Sequence, residues 1–222
     1  MKILGIDTSG QSCSVAVTEN LKLLGETRIV RKNAHSEILV IEVQNLLEKL
    51  KLKLSQFELI ALTIGPGSFT GLRIGLSVAK GLAFAKDLKI IGVPTDLALA
   101  YGIFAQEKIS VALDAFQGQI YFSEFSKKAE LEFLPERKSE IQIFTPEDFP
   151  KLTENSILIG DALKKFKLQD SSENFQTLPE EFSLVSALSV ARIGFLKAQK
   201  NEFDDLDTLS PLYIKGFKGV HG

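Results

Sequence analysis

The chain has 222 residues, 45% of them hydrophobic, and a formal net charge of −2. This suits one large packed domain or two small ones. The acidic balance argues against gripping nucleic acid unaided, and no run approaches the roughly 18 to 20 apolar residues of a membrane span.

The lone cysteine, Cys13, excludes an internal disulfide and a thiolate cluster, and its setting "SCSVAV" makes it a buried strand residue rather than a reactive thiol. The opening "MKILGIDTSG" lacks the length and cleavage pattern of a signal peptide, so a cytoplasmic protein is expected.

Strand-like alternation marks "KILGID", then "CSVAVT" after the turn "TSGQS", then "KLLGETRIV", an antiparallel meander. Next, "HSEILVIEVQNLLEKL" carries Leu39, Val43, Leu46, Leu47 and Leu50 as a helical stripe, with Ser36 as N-cap and His35 fixing the helix start. The strand "ELIALTI" leads into the glycine loop "GPGSFTGLRIG" at residues 65–75. A helix to about Ala85 and a strand "KIIGV" follow.

A second round opens near residue 109 with "ISVALD", the turn "AFQG", "QIYFSEF" and a third strand around "ELEFL". Thr145 and Pro146 signal a short helix, "SILIGD" a strand, and a last helix runs from about Ser183 to Ala198. Asp7 and Asp114 each end a first strand before a glycine-containing turn, and the same element order behind both points to duplication. The expected division is 1–105 and 106–222, the second half shortened, degenerate and without a clear last strand. Two such halves resemble the actin, hexokinase and Hsp70-like architecture, so an α/β chain with a duplicated actin/Hsp70-like ATPase fold, built of ribonuclease H-like halves, is expected. In working members of that fold the two hairpins clamp nucleotide phosphates and Mg²⁺.

The first turn, Asp7, Thr8, Ser9 and Gly10, keeps the hydroxyls and carboxylate of such a clamp. The second has Phe116 where a backbone must approach closely, with glycine only at Gly118, and the adenosine-side glycines reduce to Gly160. Asp7 and Asp114 therefore read as strand-end turn formers ahead of Mg²⁺ ligands. The glycine loop fits neither the P-loop, since Leu72 follows Gly71, nor the dinucleotide spacing, which puts Thr70 where a glycine is needed. With only His35 and His221, no metal site with paired histidines on one helix face can be assembled, and Ser-His-Asp chemistry would have to run through His35, which serves the helix start, so peptidase activity is not expected. No catalytic residue and no metal site are expected. The lysine clusters 49/51/53 and 164/165/167, interleaved with apolar residues, read as solvated faces.

Read on as a helix, the loop sets Gly71, Gly75, Ala79 and Ala83 at four-residue intervals, beside Ile74, Val78 and Leu82. This bare stripe faces either a partner or the protein's own sheet. The first helix adds Ile38, Val40 and Ile41, more apolar faces than one sheet can cover. Arg73 fits a phosphate, an acidic partner group or a local salt bridge.

The segments "ILGIDTS", "HSEIL", "GPGSFTGLRIG", "GVPTDLALA", "LDAFQGQIY" and "PLYIK" resemble, in that order along nearly the whole chain, the bacterial TsaB family, also called YeaZ. Ile41 stands where that family often has proline, and Gln119 where glutamate often follows the turn. The resemblance implies a non-catalytic partner of the enzyme TsaD. With TsaD and the small ATPase TsaE, it supports transfer of threonylcarbamoyl from threonylcarbamoyl-AMP to the adenosine beside the anticodon of certain tRNAs. It also implies a helical bundle with TsaD, or with a second copy in its absence, and tRNA contact only through the complex. No tightly bound cofactor is expected, with ATP or ADP at the partner interface left open. A stand-alone ATPase or kinase is the alternative, and a protease a more distant one.

Overall fold

The computed structural model describes residues 1–31, 35–105, 107–148, 156–168 and 175–214. Strands β1 (Lys2–Asp7), β2 (Ser12–Glu19) and β3 (Lys22–Val30) form the expected antiparallel meander. Helix α1 (His35–Leu50), β4 (Leu59–Gly65), α2 (Phe69–Lys86) and β5 (Lys89–Pro94) follow, β4 pairing parallel to β1 and β5 parallel to β4. A short helix not anticipated from the sequence, α3 (Thr95–Gly102), closes this half.

The second half repeats the plan. An antiparallel pair, β6 (Lys108–Asp114) and β7 (Ile120–Ser126), is flanked on one side by two short pieces, β8 (Glu136–Arg137) and β9 (Gln142–Phe144). On the other side β10 (Ser156–Ile159) runs parallel to β6 and β11 (Phe175–Thr177) parallel to β10. The sheet orders β3-β2-β1-β4-β5 and β8-β7-β6-β10-β11 match position for position, as duplication requires.

Four local readings need correction. The third strand is not "ELEFL": Pro135 ends that run, the Leu131 carbonyl accepts from the Tyr101 hydroxyl at 2.6 Å, and pairing to β7 is taken up by β8 and β9. A last strand does exist, as β11, too short to alternate. Helix α1 starts at His35, so Ser36 lies inside it rather than capping it. At Thr145 the chain makes a turn, its hydroxyl 3.0 Å from Asp148 Oδ2, and residues 149–155 lie outside the described residues. Helices α4 (Ala162–Phe166) and α5 (Ala187–Ala198) complete the α-helices and strands among the described residues.

Period-two alternation in the first sheet feeds two cores. Leu4, Ile6, Val15, Val17, Ile60 and Leu62 face Leu39, Val43 and Leu46 of α1 and Ala79 and Ala83 of α2. Ile3, Leu59, Ala61, Ile91 and Val93 face a central core shared with α3, α5 and the inner side of the second sheet. The layers run α1/α2, first sheet, α3/α5, second sheet, α4. Every strand of the first sheet precedes residue 105 and every strand of the second follows it, yet α5 crosses back to pack on β1, β2 and β4. It sits so close that a Cβ on Gly5 would lie 2.3 Å from the Ala187 carbonyl oxygen. Its N-terminus is held by Glu26, whose Oε1 accepts from Ser186 Oγ at 2.6 Å and Leu188 N at 3.3 Å, a carboxylate placed where the helix dipole favours one.

Beyond α5 the chain returns as a strap along the first half. Asp204 pairs with Ile90 and accepts from Gly92 N at 2.7 Å, Leu209 is buried, and Leu212 N donates to the Ile64 carbonyl at 2.7 Å. No helix among the described residues is long and apolar enough to cross a membrane.

Candidate functional site

Between the halves lies a cavity of about 850 Å³, bordered by the Ser9–Ser12 turn, the Pro66–Gly71 loop and His35 on one side, and by Asp114, Phe116, Gly160 and Asp161 on the other. A phosphate clamp would need the hydroxyls and amides of the first turn to face this space. The Thr8 and Ser9 hydroxyls and the Ser9 amide are tied inward instead. Thr8 Oγ1 donates to the Gly71 carbonyl at 2.8 Å, and Ser9 donates to Asp7 Oδ1 through both Oγ (2.6 Å) and N (3.1 Å). Thr63, unnoticed in the sequence, adds a third donor to the same oxygen at 2.9 Å. The Ser9 carbonyl takes the Ser68 amide at 2.7 Å, and His35 Nε2 lies 3.0 Å from the Gly10 carbonyl oxygen.

The glycine loop is what closes the turn. It carries a cis Gly65–Pro66 bond, and at Gly67 a Cβ would stand 2.3 Å from the Ser9 carbonyl oxygen, so only glycine lets the loop lie on the turn. Ser68 caps α2, its Oγ accepting from Gly71 N at 3.2 Å. The helix amides that might have met an anion are therefore partly spent on the protein itself.

The second turn is organised differently. Asp114 accepts from Phe116 N at 2.9 Å and forms an ion pair with Lys165 at 2.6 Å, while Asp161 accepts the Asp114 amide at 2.8 Å. Phe116 and Gln117 hold left-handed backbone (φ 58° and 53°), a conformation glycine would adopt without strain. Neither jaw presents free hydroxyls and a free carboxylate together. Asp7 and Asp114 sit where duplication put them, as turn formers.

Asp7→Asn is accordingly expected to keep the fold. Burial raises the Asp7 carboxyl above its ordinary pKa of 3.8, against the opposing hydrogen bonds from Ser9 and Thr63. A raised acid pKa means that the folded state binds more protons than the unfolded one, so wild-type stability falls as pH rises from about 4 through the raised value. The melting temperature of the variant relative to wild type should therefore climb between about pH 4 and pH 7. A difference that falls over this range, or a variant unfolded at neutral pH, would mean that the anion is required, and a flat one would mean that burial does not raise the Asp7 pKa.

The bare stripe also turns inward. A Cβ on Gly71 would stand 2.1 Å from the Thr8 carbonyl oxygen and one on Gly75 2.3 Å from Thr8 Oγ1, and Ala79 is fully buried. Gly71, Gly75 and Ala79 thus serve the protein's own turn and sheet and are corrected as partner-contact candidates. Of the others, Ile38 and Val78 are half-buried, whereas Val40 and Ile41 are 53% and 55% exposed. Phe84, which the sequence reading passed over inside an apolar run, is 82% exposed near the end of α2. Arg73 is exposed, and its side chain meets Phe69 and Tyr213 instead of a carboxylate among the described residues.

Two ribonuclease H-like halves facing across a cleft, the first phosphate turn locked by its own glycine loop, define a degenerate member of the actin-like ATPase-fold class. A family model described as TsaD, tRNA N6-adenosine threonylcarbamoyltransferase, matches residues 23–194. The chain is 33% identical over 174 residues to a tRNA threonylcarbamoyladenosine biosynthesis protein TsaB of Buchnera aphidicola subsp. Schizaphis graminum, covering 76% of this chain and 82% of that relative. It is 33% identical over 130 residues to the protein of that name in Escherichia coli, where the match spans 57% of this chain and 56% of the relative. The solved structure of YeaZ from Pseudomonas aeruginosa superposes with a TM-score of 0.82 at 24% identity, over 96% of this chain and 99% of that one. The chain belongs to the TsaB family, also called YeaZ.

Proposed function

We propose that this chain is a non-catalytic scaffold subunit of the assembly that forms threonylcarbamoyladenosine in tRNA. It supports a TsaD partner in transferring threonylcarbamoyl from threonylcarbamoyl-AMP to the adenosine next to the anticodon, together with TsaE. The observation that carries this reading is the outer face of α1 and α2, where Val40, Ile41 and Phe84 stand in solvent. An apolar two-helix face of this kind marks a protein–protein contact. In this proposal the face pairs with TsaD, or with a second copy when TsaD is absent. The chain meets tRNA only through the complex, holds no cofactor tightly by itself, leaves the partner interface as the one place open to ATP or ADP, and works in the cytoplasm. The inward-tied turn supports the scaffold reading over a stand-alone ATPase, because phosphate binding there would first break the bonds of Thr8 and Ser9.

Reconstitution of tRNA modification with purified TsaD and TsaE, with and without this chain, tests the role. Product should depend on the chain. Val40→Glu with Ile41→Glu should leave the melting temperature near native while weakening TsaD binding by about tenfold or more, since each 1.4 kcal/mol is a factor of ten. Turnover of ATP by the isolated chain near 1 per second, within the ordinary enzymatic range of about 1 to 10³ and lost on Asp7→Ala, would overturn the scaffold assignment.

A further inference from the structure

On the rim of the α1/α2 face, one cation is held in place with its outer nitrogens unpaired among the described residues. Phe69 opens α2 and Arg73 lies one turn later, so their side chains are neighbours on the helix surface. The guanidinium carbon of Arg73 sits 3.7 Å from the centre of the Phe69 ring, and its Nε donates to the Tyr213 hydroxyl at 3.0 Å. The two rings lie 5.7 Å apart at a tilt of 39°. Tyr213 arrives 140 residues later in sequence, carried by the strap whose Leu212 is pinned to Ile64. The two terminal nitrogens of Arg73 make no hydrogen bond or ion pair with any described residue.

This arrangement is unusual for a surface arginine, which normally keeps its rotamer freedom and loses entropy on pairing. Here the plane is fixed before any ligand arrives, by stacking on one side and by the tyrosine hydroxyl at Nε. What remains is the outer fork, two parallel N–H groups matched to a planar carboxylate. Two aromatic rings flank the guanidinium, and Lys80, the next cation along α2, is occupied by the Asp207 carbonyl at 3.1 Å. Among the described residues the guanidinium is a single unpaired positive charge, which matches one carboxylate better than the multiple charges of a nucleotide's phosphates.

We infer that Arg73, held by Phe69 and Tyr213, is a preorganised anchor for an aspartate or glutamate of the partner subunit, and that the C-terminal strap is part of the partner surface through Tyr213. This rests on the scaffold reading given above. Arginine and tyrosine are the residues that most often dominate protein–protein binding, in settings with water excluded around them.

The test is titration calorimetry of the full chain against TsaD at low and high salt, first without and then with ATP or ADP, using wild type, Arg73→Ala, Arg73→Lys, Arg73→Glu and Tyr213→Phe. Arg73→Ala should weaken binding tenfold or more with an unchanged melting temperature, and should flatten its salt dependence, which a merely structural role would not do. Arg73→Lys should recover little, because an ammonium lacks the planar fork. Tyr213→Phe should cost a few-fold, by freeing the guanidinium. Binding lost in Arg73→Glu and regained with a single Asp or Glu→Lys change in the partner would identify the carboxylate. If wild type binds and Arg73→Ala binds within about twofold of it, the anchor is overturned while the scaffold reading stands. An effect of Arg73→Ala seen only with ATP or ADP present makes phosphate the ligand and overturns the carboxylate assignment. If wild type itself does not bind, both inferences fall.

Discussion

Gly71→Ala is expected to cost the isolated protein about 3 kcal/mol, a fall of roughly 6 to 12 °C in melting temperature for a chain of this size. The new methyl group would stand 2.1 Å from the Thr8 carbonyl oxygen, and a backbone atom at the end of a central strand cannot step aside. Gly75→Ala meets a different obstacle, the Thr8 hydroxyl at 2.3 Å, with the next Thr8 atoms at 3.5 and 3.7 Å. Removing that hydroxyl clears the space. Thr8→Ala alone should cost about 1 kcal/mol for the lost bond to the Gly71 carbonyl, and Gly75→Ala alone about 1 to 3 kcal/mol. Together they should cost less than either sum predicts, since the clash is gone and alanine is the better helix residue by about 1 kcal/mol. Gly71→Ala should show no such rescue by Thr8→Ala. Denaturant melts of the single and double variants decide the matter. Strict additivity at Gly75, or rescue at Gly71, would mean that the stripe does not lie on Thr8 as described.

That contrast also shows what the sequence could and could not reveal. Small residues at four-residue spacing announce a close approach, but not to what, because the answer is Thr8, 63 positions earlier in the chain. The meander, α1, β4, α2 and β5 were legible because each alternates at its own period over enough residues to be seen. Helix α3 was not, since six of its eight residues are buried and no polar face interrupts the pattern. Strands β8, β9 and β11 are two or three residues long and are fixed by pairing rather than by pattern. The surplus of apolar residues on α1 pointed correctly to Val40 and Ile41 as uncovered, whereas Phe84 was hidden among buried neighbours. Arg73 was visible as a cation without an assigned partner. Only the strap, returning Tyr213 from the far end of the chain, explains how it is held.

Arg137→Met should be the most damaging surface-to-core change in the second half. Its partner is Asp96, 1% exposed on α3. Arg137 donates through NH2 to Asp96 Oδ1 at 2.9 Å, and its NH1 lies 2.8 Å from Oδ2 as an ion contact without hydrogen-bond alignment. Ser123 Oγ adds a bond to Oδ2 at 2.8 Å. The pair fastens the end of the first half to β7 and β8 of the second, while Lys127, also buried, donates to the Tyr101 and Ile103 carbonyls at the other end of the same helix. Removing the arginine strands a carboxylate with only Ser123 and its neighbouring amide, and breaking a buried pair in this way typically costs about 3 to 5 kcal/mol. Asp96→Asn should cost less, because the Arg137 side chain keeps 26% of its exposure and can turn to water. The order is the test: urea melts should place Arg137→Met below Asp96→Asn, with the double variant less damaged than the two losses added together. Equal losses would contradict the asymmetry of burial. Partner binding by whatever fraction remains folded should be unaffected, because α3 lies on the inner side of the first sheet and Val40, Ile41 and Arg73 lie on helices covering its outer side.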